Sequence, residues 1–146
     1  MAIYGVGSNW DGAEVCTDFF KEEKFILGWN EDCAEDLYTF ISALKVGDIL
    51  YIKANRPGSR RIRVKGIGIV KSNLISCISS GELGFGSTSD WKSLFVRVIW
   101  IDQKEFYIDI PQDQGRLTNV RAATIYEEHL PFVQKIIVEH IANKHN

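Results

Sequence analysis

The sequence predicts an α+β fold built on a strongly curved sheet or barrel. Three observations carry this expectation. At least four runs have strand composition, an amphipathic helical pattern lies toward each end, and 146 residues suffice for one core but not two. The whole chain, 1–146, therefore reads as one domain.

The elements follow in order. Ala2 to Val6 reads as a short strand, and Gly5, Gly7, Ser8, Asn9 and Gly12 mark an irregular turn region after it. Val15 to Leu27 is ambiguous, with a helical start at Thr17-Asp18-Phe19-Phe20 and a strand-like Phe25-Ile26-Leu27. A helix is expected from about Ala34 to Leu44, because Leu37, Phe40, Ile41 and Leu44 recur at i, i+3, i+4, i+7. Acidic residues crowd its first turn, where they suit the helix dipole, and Gly47 ends it. Asp48 to Lys53 is a strand, Asn55 to Ser59 a turn, and Arg61 to Val70 a second strand. Its alternation fades at Gly66-Ile67-Gly68, the mark of a bulge or of a close approach to the backbone. Residues 72–90, rich in Ser and Gly, read as a mobile loop. Trp91 to Asp102 and Phe106 to Ile110 are strands, 111–118 a loop. The chain ends in a helix with Pro131 in its first turn and Val133, Ile136, Ile137, His140 and Ile141 on one face.

Composition excludes several classes. The hydrophobic fraction is 45% and the charged fraction 25%, which is ordinary for a folded domain and not for a disordered chain. No apolar run approaches the roughly 18 residues of a membrane span, and no signal peptide is visible. Cys16, Cys33 and Cys77 are odd in number and lack a CxxC pair. A disulfide framework or zinc ribbon is not expected, and the natural setting is a reducing cytoplasm. The histidines all lie in the last eighteen positions, and no HExxH or carboxylate cluster has metal-ligand spacing. No cofactor or metal is expected. Gly66-Ile67-Gly68 lacks the third glycine and the following helix of a dinucleotide fingerprint. An enzyme reading would need Asp36, Asp48 or Glu127 to act as acid or base without a clear partner.

Two features point to binding instead. Charge is segregated: residues 1–50 carry ten acids and three bases, whereas 53–71 carry seven bases and no acid. Lys53, Arg56, Arg60, Arg61, Arg63 and Lys65 would share one rim of adjacent strands, a patch suited to phosphates. The same charges would equally suit a solvated edge strand protected from aggregation. The chain is also rich in aromatic residues, 12% of the total. Trp10 and Trp29 sit in turns, where two rings could wall a slot for a flat base, with Ser8, Asn9 and Asp11 reading its edge. The plainer alternative for Trp29 is a core ring. Trp91 and Trp100 flank a strand and are expected in the core.

Four segments also carry a family likeness. They are Ile3 to Trp10, Gly28-Trp29, Leu44-Lys45-Val46-Gly47-Asp48 running into Ile49 to Lys53, and Gly66 to Val70. Together with Gly115-Arg116-Leu117-Thr118-Asn119-Val120 and the final helix, they resemble the EVE domain of the PUA-like superfamily. The resemblance covers most of the chain. It implies a pseudo-barrel of mixed strands with flanking helices, which binds nucleic acid and often holds a modified or flipped base in an aromatic pocket. By position, that pocket would draw on Ser8, Asn9, Trp10, Trp29, Tyr51, Lys53, Thr118 and Asn119, with phosphates on Arg56, Arg60, Arg61, Arg63, Lys65 and Arg116. The chain departs from the common start of that family, which has a Trp in the first strand and a Ser-Glu-Pro-like turn; here the turn is Gly7-Ser8-Asn9-Trp10. The function expected is a non-catalytic reader of DNA or RNA, with a modified cytosine as candidate target and an effector protein encoded nearby as candidate partner. The alternative is a small-molecule or protein-interaction module of a bacterial regulatory or defence system.

Overall fold

The computed structural model describes residues 1–10, 12–28, 35–56, 58–82, 94–114 and 124–144. In chain order these form β1 (Ile3–Val6), β2 (Asn9–Trp10), β3 (Ala13–Glu14), α1 (Cys16–Glu22), β4 (Lys24–Ile26), α2 (Glu35–Ala43) and β5 (Ile49–Ala54). They continue with β6 (Arg61–Ser72), α3 (Leu74–Ser79), β7 (Phe95–Asp102), β8 (Phe106–Asp109), β9 (Ile125–Glu127) and α4 (Pro131–Asn143). The fold is mixed α+β around a curled sheet. Among the described residues, no helix is long and apolar enough to cross a membrane.

The main sheet has seven strands in the order β4-β7-β6-β5-β1-β9, with β8 paired to β6 beside β7. The β1–β5 pairing is parallel and the others are antiparallel. The twelve-residue β6 is the spine: its first half pairs with β8, its second half with β7, and most of its length with β5. Apolar residues collect in two clusters. One joins Leu50, Ile52 and Val70 to Phe19 of α1, Leu37 and Ile41 of α2, and Leu74 and Cys77 of α3. The other joins Ile49, Tyr51, Ile62 and Val64 to Val133 and Ile137 of α4. Alternate residues of β5 thus serve opposite faces, the period-2 rule of a strand buried on both sides.

Local chemistry explains the joints. In the turn Lys45-Val46-Gly47-Asp48, Gly47 takes φ +93°, a backbone state that suits glycine. The buried Asp48 carboxylate accepts from the Ala2 amide at 2.9 Å and the Lys45 amide at 2.7 Å. This turn therefore pins the start of β1 beside β5, and Asp48 has a structural task rather than an acid–base one. The ambiguous stretch Val15–Leu27 resolves into α1 and then β4, separated by Glu23 at φ 55°.

Three expectations change. The segment after β6 is not all loop: α3 begins at an Asn73 cap, whose side chain accepts from the Ser76 amide at 2.9 Å, and it buries Leu74 and Cys77. Its two buried side chains sit among Ser and Gly that dominate the composition, which hid the helix. The irregular turn after β1 contains the β2–β3 hairpin. The three-residue β9 was also not foreseen; its hydrogen bonding to β1 holds it, because so short a run carries no periodicity of its own. The final helix, the Ile49–Ala54 strand and the strands at Phe95 and Phe106 form as expected. Residues 83–93, including Trp91, lie outside the described residues.

Asp48→Ala leaves two partly buried amides without an acceptor and should cost at least about 2 kcal/mol of unfolding free energy in urea titrations. Asp48→Asn should recover roughly half of that loss, since an amide keeps one oxygen for one of the two donors.

Candidate functional site

A register shift builds the site. Along β5 the residues Ile52 and Lys53 are consecutive, but their partners on β6 are Gly66 and Val64. Lys65 is the extra residue of a bulge, and strands re-aim side chains at bulges. Before the bulge Ile62 and Val64 join the α4-side cluster; after it Ile67 does. The inward positions thus pass from even to odd numbers, which is why the sequence alternation fades there. Gly66 accommodates the bend: a Cβ on it would lie 2.6 Å from the Phe20 ring and 3.1 Å from the Asp102 carbonyl.

The bulge directs Lys65 into the hairpin after β1. Its ammonium donates to Ser8 Oγ at 3.1 Å and Glu14 Oε2 at 2.7 Å, and Ser8 Oγ donates to Glu14 Oε1 at 2.5 Å. Both Ser8 and Lys65 are buried. Burial raises the Glu14 carboxyl, but hydrogen bonds from Lys65 and Ser8 and the Lys65 charge outweigh it and hold the group below its ordinary value. Next to this triad lies Lys53, 6% exposed. Its Nζ stands 5.3 Å from the centre of the Tyr126 ring. Burial, and then the like charge of Lys65, pull the Lys53 ammonium down to about 8.

These groups line a cleft of about 370 Å³ with Gly7, Asn9, Asn55, Arg63 and Thr124. A wider groove of about 660 Å³ adjoins it and shares Ala54, Asn55 and Arg63. Arg56, Ser59, Arg61 and Tyr107 complete the groove. Strand register explains this second set. Arg61 is opposite Asp109 and Arg63 opposite Tyr107, so outward positions of β6 and β8 coincide while Ile62 and Ile108 point inward together. The Arg61 guanidinium lies 4.0 Å over the half-exposed Tyr107 ring. The Oδ1 atom of Asn55, at the junction of cleft and groove, is buried and has no hydrogen-bond partner among the described residues.

A polar network supports the cleft from behind. Tyr51 OH donates to Glu128 Oε1 at 2.6 Å and meets Tyr126 OH at 2.5 Å, all three residues being buried. Glu128 Oε2 accepts from the Leu130 amide at the start of α4. Burial, then the neighbouring Tyr126 and Glu128, raise the Tyr51 hydroxyl well above its usual value, so it stays a donor. Gly5 makes the network possible: a Cβ there would fall 2.4 Å from the Tyr126 ring.

Ser8, Asn9 and Lys53, expected in a base pocket, do come together, and Lys65, expected on phosphate, joins them. Tyr51 is fully buried and supports the site without lining it. Trp10 lines neither cleft: its ring packs against Phe19 at 6.0 Å, and a Cβ on Gly28 would fall 2.3 Å from it. Arg56, Arg61 and Arg63 share the groove, whereas Arg60 donates to the Pro111 carbonyl at 3.0 Å. Trp29, Arg116, Thr118 and Asn119 lie outside the described residues.

The ribbon of cations is also less bare than its sequence. Arg61 pairs with Asp109, Arg63 with Glu105 and Lys65 with Glu14. Reasoning from sequence missed Asn55, Tyr107, Tyr126 and Glu128. Tyr107 alternates with Phe106 and Ile108, which marks it as outward-facing, but nothing local places it beside Arg63.

No protein-family model matches the chain, and no curated protein matches its sequence.

The lowered Lys53 value gives a test of burial. Between about pH 8 and the ordinary lysine value the unfolded chain binds more protons at this group than the folded one. Lys53 should therefore add stability as pH rises from 8 toward 10. Urea unfolding across that range should show the parent gaining stability relative to Lys53→Met.

Proposed function

We propose that this chain is a non-catalytic nucleic-acid-binding domain, an EVE-like member of the PUA-like superfamily, that receives one nucleotide in the cleft while the strand lies along the arginine groove. One observation carries the reading: cleft and groove meet at Ala54, Asn55 and Arg63, so a strand on Arg56, Arg61 and Arg63 leads directly to Lys53 and Lys65. Phosphate contacts position a strand and the cleft could admit an extruded group. The exposed Tyr107 ring offers a stacking surface backed by Arg61. Asn55 Oδ1 has no donor among the described residues, and the exocyclic amino group of a cytosine or adenine could supply one. A modified cytosine keeps that amino group and remains the candidate base, in DNA or RNA, and an effector protein encoded nearby is the partner such a reader would serve.

The supporting acids fit binding better than catalysis. Asp48 is spent on backbone amides, Glu127 pairs with His129 at 2.7 Å, and Glu14 is held by Lys65 and Ser8. The cleft volume also suits a small molecule, the second reading. Salt separates the two, because binding to several phosphates weakens steeply with ionic strength and binding of a neutral ligand does not.

The test is a panel of single-stranded and duplex DNA and RNA, with and without cytosine modification, measured by fluorescence anisotropy from about 50 to 200 mM salt. Arg61→Ala with Arg63→Ala should weaken binding across all sequences and reduce the salt slope by about 1–2. Tyr107→Ala should cost ~1–3 kcal/mol of affinity. Affinity that is flat with salt in the parent would refute the nucleic-acid reading in favour of a small ligand.

A further inference from the structure

We infer that Glu14 is a specificity-determining residue of the cleft: its carboxylate holds the place on Lys65 that a phosphate would take, so the Ser8–Lys65 wall admits an uncharged group and leaves phosphates to the arginine groove. Identifying that group as a base rests on the proposed nucleic-acid reading; the exclusion of phosphate rests on the ion pairs themselves.

Sequence groups Lys65 with the arginines as a phosphate contact, because all lie in a stretch without an acid. In the fold Arg61, Arg63 and Lys65 each meet a carboxylate, but the pairs are unlike. Arg61 with Asp109 and Arg63 with Glu105 are exposed on both sides. Water and salt screen such pairs, and one anion replaces another at little cost. Lys65 keeps only 9% side-chain exposure beside Glu14 at 46%. An ammonium so far out of water depends on its partner, and losing that partner is strongly unfavourable.

Glu14 is also the harder carboxylate to displace. It serves three donors at once: Lys65 Nζ at 2.7 Å, Ser8 Oγ at 2.5 Å and the Cys16 amide at 3.1 Å. An incoming phosphate must replace it on Lys65 and leave the other two donors without it. The β2–β3 hairpin keeps it in place, since Glu14 is paired with Asn9 and the Val15 amide donates to the Ser8 carbonyl at 2.8 Å. A carboxylate tethered in this way competes at high effective concentration against any free anion. Its bonds to Lys65 and Ser8 hold it below the ordinary carboxyl value, so it stays charged at neutral pH.

What this wall offers a ligand is neutral hydrogen bonding. Lys65 spends two of its three hydrogens on Ser8 and Glu14, and the third can meet a carbonyl oxygen. Asn55 Oδ1, on the same cleft, can accept from an amino group. A base with both a carbonyl and an amino group supplies the two and brings no charge for Glu14 to repel.

The experiment follows the Ser8, Glu14 and Lys65 signals by NMR while the parent and Glu14→Gln are titrated with cytidine and, separately, with inorganic phosphate. The parent signals should move with cytidine and stay in place with phosphate. Glu14→Gln should bind phosphate at least about tenfold tighter than the parent, and its oligonucleotide binding should gain about 1 in salt slope. Phosphate should also raise its Tm by more than the parent's, because a ligand of the folded state stabilises that state. The double variant Glu14→Gln with Lys65→Met removes both charges and should lose all of these gains, which places the phosphate on Lys65. A purely structural Glu14 predicts lost stability in Glu14→Gln and no gain in phosphate binding, and that result overturns the exclusion. Phosphate moving the parent's Ser8 and Lys65 signals as far as the variant's overturns it too, and decides the matter even if Glu14→Gln does not fold. In either case oligonucleotide binding by the parent leaves the nucleic-acid reading intact. A phosphate gain in Glu14→Gln, with neither cytidine nor any oligonucleotide bound by the parent, upholds the exclusion and removes the nucleic-acid reading.

Discussion

The bulge at Lys65 is the constraint on which the site depends. In an unbroken hairpin Ile52 and Lys53 would face consecutive residues of β6, and Lys65 would continue the outward row of Arg61 and Arg63. One extra residue withdraws it from that row and sends its ammonium to Ser8 and Glu14. The same residue lets β6 serve two partners on one edge, β8 before the bulge and β7 after it. The convergence of the cations follows from this insertion, and β6 shifts register twice more against β7, at Ile67/Gly68 and Val70/Ser72, as expected where a strand bends and twists.

The supporting structure works around that insertion at some cost. Gly5, Gly66 and Gly68 give up side chains so that Tyr126, Phe20 and Trp100 can lie on the sheet backbone. Trp100 then donates from its indole nitrogen to the Phe19 carbonyl at 2.9 Å and meets Phe20 edge-on at 5.4 Å. On the other face, the Tyr126 ring is fixed by Tyr51 and Glu128 before it meets Lys53. Lys53 therefore rests on a ring whose hydroxyl is held by Tyr51, itself bonded to Glu128, and such second-layer bonding fixes where the ring lies. Burial and the nearby Lys65 charge disfavour the Lys53 ammonium, so its charged form costs stability near neutral pH.

Much of the architecture was legible in the sequence because its signals are local. Helix α4 announces itself by period and by Pro131, and Lys45-Val46-Gly47-Asp48 by a turn whose glycine and aspartate both have clear tasks. Gly66-Ile67-Gly68 correctly signalled a bulge or a close approach, and both occur. What stayed hidden was set by distant pairing. The three-residue β9 exists because β1 accepts it, and α3 because Asn73 caps it and two of its side chains find the core. In the site, Ser8, Asn9 and Lys53 were legible as polar or cationic residues at strand ends. The partnership of Lys53 with Lys65 was not, since it needs a two-for-one register that no periodicity encodes.

The same distinction governs the basic ribbon. Along the chain, residues 53–71 look like unopposed positive charge. In space, β8 brings Asp109 and Glu105 onto Arg61 and Arg63, and β3 brings Glu14 onto Lys65. The two exposed arginine pairs are worth little to stability, typically below about 1 kcal/mol. Under the proposed nucleic-acid reading, a phosphate arriving at the groove would displace a carboxylate rather than meet a bare cation. Arginines held in this way are already oriented, which under that reading would favour selectivity by position over indiscriminate attraction to any polyanion.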